Sequence, residues 1–382
     1  MSERAHVLVL ASGLGFGGAE TVIRDLVTTI DPQRFQVTVG CVKVVGPVGQ
    51  QLADAGYDVV CLTDPASARV NYFTFLELRR VVQSRRIRLV HTHTTDGLAD
   101  AALCRLTMPW LKLVHTFHFG NYPHVGRNNL RMEKMFSRVA NQLVAVGEIQ
   151  RQQIRRVFGF SERRLGMVWN GVPPAAAVQP GAADAFRRQI GAADRLVIGT
   201  IATMIEQKGL RDLLAVAAQL RDLRDRVCFV VAGDGHLRSE LEGLRRELNL
   251  DDMVCFPGWV ANAAQAALPA FDVFFQPSLW EAMSIAVLEA MAAARPIVAT
   301  TVGENGSVVE DGRTGLLVPS RDVGAMAHAL RGLIDDAERR RQLGAAALAR
   351  FASHFTVDHM VRRYEQLYLD TLGVPMSGSV AA

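Results

Sequence analysis

Val7-Leu8-Val9-Leu10-Ala11-Ser12-Gly13-Leu14-Gly15-Phe16-Gly17-Gly18 is a short apolar run that leads directly into a glycine-rich loop. The run predicts a buried parallel β-strand over Val7–Ala11, because leucine and β-branched residues without polar alternation are typical of a strand covered on both faces. The loop precedes Ala19–Ile30, a predicted helix. A strand, a glycine turn and a helix together predict the first unit of a parallel α/β sheet.

The glycine-rich loop matches G-x-G-x-x-G, the fingerprint of dinucleotide-binding domains. That interpretation also requires an acidic residue at the end of the second strand to hold a ribose, and Val39–Lys43 contains none. A loop of this kind at a helix N-terminus still presents backbone N–H groups to a phosphate or a sugar. Gly17 and Gly18 are therefore candidate substrate-binding residues, and a tight turn without a ligand is the alternative.

Strand-like runs alternate with longer helical stretches along the whole chain. This alternation predicts two doubly wound α/β domains, in which ligands bind outside the carboxyl ends of the strands. With two such domains, we expect the binding site in the cleft between them. The predicted strands are Val7–Ala11, Val37–Val42, Val59–Leu62, Leu89–His93, Leu113–Phe117 and Leu143–Val146, then Leu196–Ile201, Val227–Ala232, Met253–Phe256, Val273–Gln276, Pro296–Ala299 and Gly315–Val318.

A segment rich in proline and alanine, Pro173–Gly181, separates the two sets of strands. Such a composition has little capacity for regular structure and marks a domain boundary. We expect an N-terminal Rossmann-like domain over 1–172, a linker over 173–191 and a C-terminal Rossmann-like domain over 192–355. Residues 356–382 are expected to form a helix that packs back on the N-terminal domain, followed by a flexible tail.

Composition and charge limit the classes of protein that the chain can belong to. Its 382 residues are 49% hydrophobic and 21% charged, which indicates a folded globular protein. The five cysteines lack CxxC spacing and predict reduced thiols in a cytoplasmic protein without an export signal. Residues 1–175 hold 21 Lys and Arg against 13 Asp and Glu. This basic half favours an anionic substrate or membrane surface over nucleic acid, because it lacks interleaved aromatic residues.

Four histidines lie at the carboxyl ends of two predicted strands: His91, His93, His115 and His118. A metal site that includes Asp96 is conceivable, but the sequence has no HExxH motif or comparable ligand set. His91 and His115 fall inside strands, where a hydrogen-bonded structural role is favoured. His118 follows its strand and is the better functional candidate.

Three loops of the second half carry further candidates. Lys208 lies in a loop before a predicted helix, where an ammonium suits a diphosphate, although a solvated loop lysine is the alternative. Gly233-Asp234-Gly235 and Gly258-Trp259-Val260 are turns after buried strands, where glycine lets the backbone approach a flat ligand closely. Both turns have a purely structural alternative.

The most informative segment is Pro277–Glu289. Ser284 is a predicted helix N-cap, so the N–H groups of Ile285, Ala286 and Val287 are expected to be available to a phosphate. Glu281 precedes them in the loop. Glu289 lies inside an apolar helix, where a carboxylate needs donors. Ribose hydroxyls would supply them, and an ion pair with Arg295 or Arg313 is the alternative.

Taken in order, these motifs resemble those of the retaining glycosyltransferases of the GT-B fold, specifically family four, over Val7 to about Leu367. The resemblance implies two Rossmann-like domains that face each other across a cleft. The motifs are Gly17-Gly18-Ala19-Glu20, His91-Thr92-His93, Thr116-Phe117-His118, Asn170-Gly171-Val172, Lys208-Gly209, Gly233-Asp234-Gly235, the pair Glu281 and Glu289 in E-x7-E spacing, Glu289-Ala290-Met291-Ala292 and Asp311–Val318.

The resemblance also implies the roles of individual residues. Glu281 would contact hydroxyls of the donor sugar, Glu289 the ribose and Lys208 the diphosphate. His118 would lie beside the transferred sugar, and the Gly17-Gly18 loop near the donor phosphate and the acceptor. The turn at Val260 would edge the base. The catalytic set is therefore His118, Lys208 and Glu281, and the substrate-binding set is Gly17, Gly18, Thr203, Gly235, Val260, Ser284, Ile285, Ala286 and Glu289.

The implied activity is transfer of a hexose from a nucleotide sugar such as a UDP-sugar to a saccharide or lipid-linked hydroxyl acceptor, without a metal cofactor. Bacterial polysaccharide, lipopolysaccharide or glycolipid synthesis is the expected context. Thr203 stands where the family commonly has an arginine, five positions before Lys208. A non-catalytic nucleotide-sugar-binding protein is therefore an alternative, and a dinucleotide-dependent oxidoreductase is a weaker one.

A second hypothesis concerns peripheral contact with an anionic membrane. In 127–140, Met132, Met135, Phe136 and Val139 share one helical face, and four basic residues lie elsewhere on the same predicted helix. Basic amphipathic helices of this kind lie on anionic bilayers. Packing of this face on the sheet of the N-terminal domain is the alternative. We expect a cytoplasmic protein with a potential position at the inner face of the cell membrane.

Overall fold

Two parallel β-sheets, each covered by helices, form the cores of two units in the computed structural model, which describes residues 4–63, 73–122, 124, 126–177 and 181–374. The first unit comprises Met1–Gly171 and Val357–Ala382, and the second comprises Val172–Thr356. The predicted doubly wound α/β class is confirmed. The tail expected after the last helix falls on 375–382 and, like 178–180 of the predicted linker, lies outside the described residues.

The first unit contains a seven-stranded sheet in the order β3-β2-β1-β4-β5-β6-β7. All of its neighbouring strands run parallel. Its strands are β1 Ala5–Gly13, β2 Phe35–Val44, β3 Asp58–Cys61, β4 Leu89–Thr92, β5 Lys112–Phe117, β6 Gln142–Ala145 and β7 Leu165–Met167. Its helices in the same span are α1 Gly18–Thr29, α2 Gly46–Asp54, α3 Thr74–Ser84, α4 Thr95–Thr107, α5 Arg127–Ser137 and α6 Glu148–Phe158.

The second unit contains a six-stranded parallel sheet in the order β10-β9-β8-β11-β12-β13. Its strands are β8 Leu196–Ile201, β9 Val227–Ala232, β10 Val254–Gly258, β11 Val273–Gln276, β12 Ile297–Thr300 and β13 Leu316–Val318. Its helices are α7 Ala182–Gln189, α8 Leu210–Gln219, α9 Arg238–Glu247, α10 Ala263–Ala266, α11 Ile285–Ala292, α12 Asn305–Val308, α13 Val323–Asp335 and α14 Ala337–His354.

The last described helix, α15 Val357–Leu372, belongs to the first unit and packs against α1. It buries Tyr364 and Tyr368 completely. Burial of side chains of this size stabilises a fold by about 1.5–3 kcal/mol each. Helix α15 therefore contributes buried side chains to the same unit as the first strand and helix of the chain.

Two elements differ from the sequence-based expectation. The segment predicted as a linker over 173–191 contains the helix α7, in which Phe186 is buried. The strand β7 was not predicted, because it has three residues of which only Leu165 is buried. A short edge strand with exposed neighbours carries too little hydrophobic periodicity to be recognised.

Strand order explains which loops share an edge. In the first sheet β1, β4 and β5 are neighbours, so the loops that follow them lie at one carboxyl edge. In the second sheet β8 pairs with β9 and β11, and β11 pairs with β12. The loops after these strands carry most of the predicted site residues.

Helix α14 approaches α11 closely at Gly344, and this contact generates a stability prediction. A Cβ atom at Gly344 would lie 2.2 Å from the carbonyl oxygen of Ala294, a distance that real Cβ atoms do not adopt. We expect Gly344→Ala to lower the free energy of unfolding by roughly 1–3 kcal/mol, the usual cost of overpacking. Urea or thermal unfolding measures it.

The matched control is Gly332→Ala in α13, where a Cβ atom meets no neighbour within 4 Å. Alanine in an open helical position stabilises by roughly 0.5–1 kcal/mol relative to glycine. Equal stability of the two variants would contradict the packing argument.

Candidate active site

The Glu281 carboxylate lies at the carboxyl edge of the second sheet and is almost fully buried. Its Oε1 accepts hydrogen bonds from the Lys208 ammonium at 2.6 Å and from the Ser278 hydroxyl at 2.8 Å. The side-chain amides of Gln207 and Gln276 lie 3.2 and 3.4 Å from its oxygens. Four donors from two loops therefore fix the position of this carboxylate and compensate its desolvation.

The loop that carries Lys208 and the loop that carries Glu281 contact each other closely through their backbones. Gly209 has φ +61°, and a Cβ atom there would lie 2.0 Å from the carbonyl oxygen of Pro277. The Leu279 N–H donates to the Gln207 carbonyl at 2.7 Å. Glycine is required at 209 because a Cβ atom would collide with the Pro277 carbonyl oxygen, and glycine also adopts the positive φ at the lowest cost. The lysine loop after β8 thereby meets the glutamate loop after β11.

A third loop, after β12, supports the backbone of Glu281. Gly303 has φ +50°, and a Cβ atom there would lie 2.1 Å from the Glu281 carbonyl oxygen. The N–H of Glu304 donates to the Ala282 carbonyl at 2.9 Å. Gly303 is not among the residues predicted from the sequence, because its contact with Glu281 depends on strand order.

Three donors to Glu281, namely Gln207, Ser278 and Gln276, were also missed. Gln276 is a polar residue at the end of the apolar strand β11, and both Gln276 and Ser278 are buried. A buried amide or hydroxyl beside a strand end requires a polar partner. Polar residues at the end of an apolar strand were therefore the feature of the sequence that could have identified Gln276 and Ser278 as partners of Glu281.

Ser284 caps α11, as predicted. Its Oγ accepts from the Val287 N–H at 3.3 Å and from the Gln276 amide at 2.7 Å. The expectation that Val287 offers a free N–H is therefore wrong, because its own N-cap uses that donor. The amides of Ile285 and Ala286 precede it in the first turn, where a helix supplies no carbonyl four residues back. The capping bond of Ser284 therefore leaves Ile285 and Ala286 as the two amides of the predicted phosphate-binding set that it does not use.

Glu289 lies one turn further along α11 and is half-buried. Its desolvation is therefore smaller than expected for a fully buried carboxylate. Of the two arginines considered as partners, Arg295 donates to the carbonyls of Ala293 and Phe271. Arg313 forms an ion pair with Glu310 at 2.8 Å.

The predicted base-edge and phosphate loops lie after β8, β9 and β10. Thr203 is exposed beyond β8. A Cβ atom at Gly235 would lie 2.5 Å from the Met204 carbonyl oxygen, so this glycine is required for loop packing. Val260 is half-buried beside Trp259, whose side chain is 52% exposed. The structure places each of these residues at the edge that also holds Lys208 and Glu281.

In the first unit, the imidazoles of the two strands are buried in hydrogen bonds. The Nδ1 of His91 lies 2.6 Å from the Tyr368 hydroxyl, and its Nε2 lies 2.8 Å from the Thr116 hydroxyl. The Nδ1 of His115 lies 2.9 Å from the Thr92 hydroxyl. Burial and the neighbouring imidazoles hold the pKa of His91 well below its usual range. These contacts agree with a structural role for both histidines.

The two histidines just beyond the strands pair with each other. The Nδ1 of His93 lies 2.8 Å from the Nε2 of His118, and the two rings stack with an interplanar angle of 20°. Asp96, considered earlier as a metal ligand, accepts from Ser12 and Lys43 at 2.8 and 2.5 Å. Within the described ranges, no group of three or more His, Cys, Asp or Glu residues is arranged to hold a metal ion.

In the first unit, the carboxylate of Glu20 lies against the glycine-rich loop at Gly17. A Cβ atom at Gly17 would lie 2.4 Å from the Glu20 Oε2, so the glutamate folds back over the start of α1. Burial raises the pKa of this glutamate. Gly18 is exposed at the first position of α1. Lys43, at the end of β2, pairs with Asp96, and the ribose-binding acid of a dinucleotide site is absent from 39–43.

The predicted apolar face of 127–140 is divided in the structure. Phe136 and Val139 pack against the core, whereas Met132 and Met135 are 39% and 55% exposed. Packing on the sheet therefore accounts for half of the face. In the described part of the chain, no helix combines the length and apolar character that a membrane span requires.

Two family models match the chain. Residues 16–176 match a model described as Glycosyltransferase Family 4, and residues 195–336 match one described as Glycosyl transferases group 1. The two matched ranges together cover most of both units.

Curated relatives and solved structures agree with these matches. The chain is 29% identical to a 2-deoxystreptamine N-acetyl-D-glucosaminyltransferase of Streptomyces fradiae over 74% of this chain and 70% of the relative. It is 23% identical to an Escherichia coli UDP-Gal:alpha-D-GlcNAc-diphosphoundecaprenol alpha-1,3-galactosyltransferase over 96% of each. The crystal structure of Anabaena HepE with UDP-glucose superposes with a TM-score of 0.85 at 20% identity, covering 96% of this chain and 100% of HepE.

Proposed function

The chain belongs to the family 4, group 1 glycosyltransferases and has the GT-B fold, and we propose that it transfers a hexose from a nucleotide sugar to a hydroxyl acceptor with retention of configuration. One observation carries the proposal: a buried carboxylate, Glu281, paired with Lys208 at 2.6 Å at the edge of the second sheet. A buried carboxylate with a partly exposed ammonium partner beside a helix N-terminus is suited to a ligand that carries both hydroxyls and phosphates.

We assign the donor to the second unit. Glu281 accepts hydrogen bonds from hydroxyls of the donor sugar, and the amides of Ile285 and Ala286 bind the diphosphate. An ammonium has three N–H donors, so Lys208 reaches a phosphate oxygen while keeping its bond to Glu281. Glu289 binds the ribose, and Val260 edges the base. UDP is the favoured nucleotide, because HepE has been crystallised with UDP-glucose.

The chemistry follows from charge. Cleavage of the sugar–phosphate bond gives an oxocarbenium-like transition state and adds negative charge to the leaving diphosphate. Lys208 and the positive end of α11 stabilise that charge without a metal ion. As the family resemblance implies, the acceptor hydroxyl attacks the face of the sugar from which the phosphate leaves, and the leaving phosphate takes the proton of that hydroxyl. His118 contacts the transferred sugar and completes the catalytic set with Lys208 and Glu281.

For the acceptor, we propose a saccharide or a lipid-linked saccharide of bacterial cell-surface polysaccharide or glycolipid synthesis. The E. coli relative, by its name, transfers galactose to a diphosphoundecaprenol-linked sugar. The basic character of residues 1–175 suits an acceptor that carries phosphate.

Two alternatives lead to different results. A non-catalytic nucleotide-sugar-binding protein has Thr203 in its favour, because one expected positive charge is missing at the diphosphate. A dinucleotide oxidoreductase is disfavoured, because Lys43, paired with Asp96, lies where its ribose-binding acid belongs.

A panel of nucleotide sugars tests the proposal directly. Purified protein is incubated with each donor, and released nucleotide is measured with and without a chelator. We expect slow hydrolysis of one donor class, unchanged by the chelator. Binding of a donor without nucleotide release, even with candidate acceptors, would support the non-catalytic alternative.

Removal of the ion pair should abolish turnover while the fold persists. Truncation of Lys208 alone leaves the buried charge of Glu281 without its ion-pair partner and costs about 3–5 kcal/mol of stability, so loss of fold would obscure the result. We therefore expect the double variant Glu281→Gln/Lys208→Met to keep its thermal midpoint within a few degrees. Its turnover should fall about 10²–10³-fold, as for loss of a charge-stabilising group.

The control for this double variant is Arg187→Met, which breaks the ion pair between Arg187 and Asp272 at the amino end of β11. Stability should decrease there with turnover unchanged. Full turnover of the double variant on the best donor would refute the site assignment.

Because Thr203 stands where the family commonly has an arginine, we expect restoration of an arginine there to strengthen binding of the nucleotide sugar. Thr203 is exposed, so an arginine there has room and adds a charge-assisted hydrogen bond to the diphosphate. We expect Thr203→Arg to tighten the Kd for the nucleotide sugar about tenfold, measured by calorimetry. Thr203→Gln, which adds length without charge, should leave the Kd unchanged, and equal effects of the two changes would exclude the charge argument.

We also propose peripheral contact with an anionic membrane through the exposed side of α5. Met132 and Met135 project there, and Arg127, Arg131 and Arg138 on or next to the same helix are exposed. Apolar residues that enter the headgroup region beside arginines that bind anionic lipids produce reversible membrane binding.

Vesicle sedimentation checks this contact. We expect binding to vesicles rich in phosphatidylglycerol and none to phosphatidylcholine vesicles. Met132→Glu/Met135→Glu should lower the partition coefficient about tenfold or more. Leu348→Glu, at an exposed apolar position of the second unit, is the matched control. Binding that is insensitive to the α5 variant would eliminate this surface.

A further inference from the structure

The contact between His93 and His118 indicates which ring nitrogen of His118 is available to a substrate. The two residues follow β4 and β5, which are adjacent parallel strands. Their ring nitrogens, Nδ1 of His93 and Nε2 of His118, lie 2.8 Å apart. A contact of this length between two nitrogens requires one hydrogen between them. The inner nitrogen of His118 is therefore used, and Nδ1 is the nitrogen left for a ligand.

The remaining nitrogen of His93 indicates where that hydrogen comes from. Its Nε2 is buried and has no hydrogen-bond partner among the described residues. If His118 donated the shared hydrogen, neutral His93 would carry its own hydrogen on Nε2 and bury an unsatisfied N–H. If His93 donates from Nδ1, its Nε2 has only a lone pair. Buried N–H groups without an acceptor are rarer in proteins than under-satisfied acceptors, so the second arrangement is favoured.

We infer that His93 is a positioning residue that donates its Nδ1–H to the Nε2 of His118 and so keeps the hydrogen of His118 on Nδ1. His118 then donates a hydrogen bond to a hydroxyl oxygen of the transferred sugar and does not act as a general base. The assignment of a sugar to His118 rests on the proposed function. The direction of the bond between the two histidines does not.

The surroundings keep both rings neutral. The ring centroid of His91 lies 4.1 Å from that of His93. His115, from β5, adds a further imidazole to this buried group, and Glu133 of α5 lies 3.8 Å from the outer nitrogen of His115. On the α15 side, His91 faces the hydroxyl of Tyr368 and the ring of Tyr364, whose own hydroxyl lies 3.1 Å from that of Thr116. An additional proton on His93 or His118 would place a charge in this group.

Acid–base properties agree with the geometry. Burial and the neighbouring imidazoles hold the pKa of His93 well below its usual range. Burial, with a smaller effect of His115, lowers the pKa of His118 to about 3. Both rings are therefore neutral at physiological pH and share a single hydrogen.

Nitrogen NMR of the full-length protein with 15N-labelled histidine tests the direction of the bond without any substrate. The His118 signals are assigned by their loss in His118→Ala. We expect the proton of His118 on Nδ1, with no titration between pH 5.5 and 8. A His118 ring that carries its proton on Nε2 would overturn the inference, whatever the enzyme does.

Variants of His93 separate this positioning from general packing. The amide of His93→Asn can replace the Nδ1–H donor, whereas His93→Leu cannot. We expect the asparagine variant to keep the His118 tautomer and kcat/KM. The leucine variant should show a mixture of tautomers and a loss of kcat/KM of about tenfold. An equal loss of kcat/KM in both variants, with the tautomer of His118 unchanged, would show that His93 acts only through packing.

The result also distinguishes failure of the inference from failure of the proposed function. A Nδ1–H tautomer in a protein that binds no nucleotide sugar would leave the bond direction established and refute the transferase assignment. Transferase activity together with a Nε2–H tautomer of His118 would support the transferase assignment and refute the proposed bond direction. Thermal unfolding of each variant confirms that a folded protein is compared.

Discussion

The buried carboxylate of Glu281 is the constraint on which the loop arrangement of the second unit depends. An ionised carboxylate removed from water is tolerated only when donors replace the lost solvation. Lys208, Gln207, Ser278 and Gln276 provide them. These donors come from loops that are distant in sequence, so their convergence requires a particular strand order. The burial of the Glu281 carboxylate is therefore possible only with the strand order that brings these hydrogen-bond donors together.

Glycines make this convergence sterically possible. Gly209 meets the carbonyl of Pro277, and Gly303 meets that of Glu281, at distances that no Cβ atom permits. Both have positive φ angles, so their role is conformational as well as steric. Glycine at these positions does not itself contact the ligand. It allows three loops to come together around the buried carboxylate of Glu281.

The first unit meets a similar need in a different way. Its strands carry imidazoles and hydroxyls into the protein interior, and the C-terminal helix α15 supplies Tyr364 and Tyr368 to complete their hydrogen bonds. The backbone N–H of Asp31, after α1, donates to Glu365 of the same helix at 2.8 Å. Each hydrogen bond that a buried polar group makes offsets part of the cost of its removal from water. The last helix of the chain is therefore part of the environment of the histidines, although it is remote from them in sequence.

The sequence by itself determined the α/β class, most strand positions, the capping role of Ser284 and the ordered motifs that identify the family. These features depend on local periodicity, backbone preference or residue type, which a sequence displays directly. Only the tertiary structure decided that Gly303 supports Glu281, that Ser284 occupies the Val287 amide and that His93 occupies one nitrogen of His118. It also revealed α7 and β7, whose local signals were weak. The physical reason is that a hydrogen bond joins two atoms in space, and the order of strands, which no single segment encodes, determines which atoms meet.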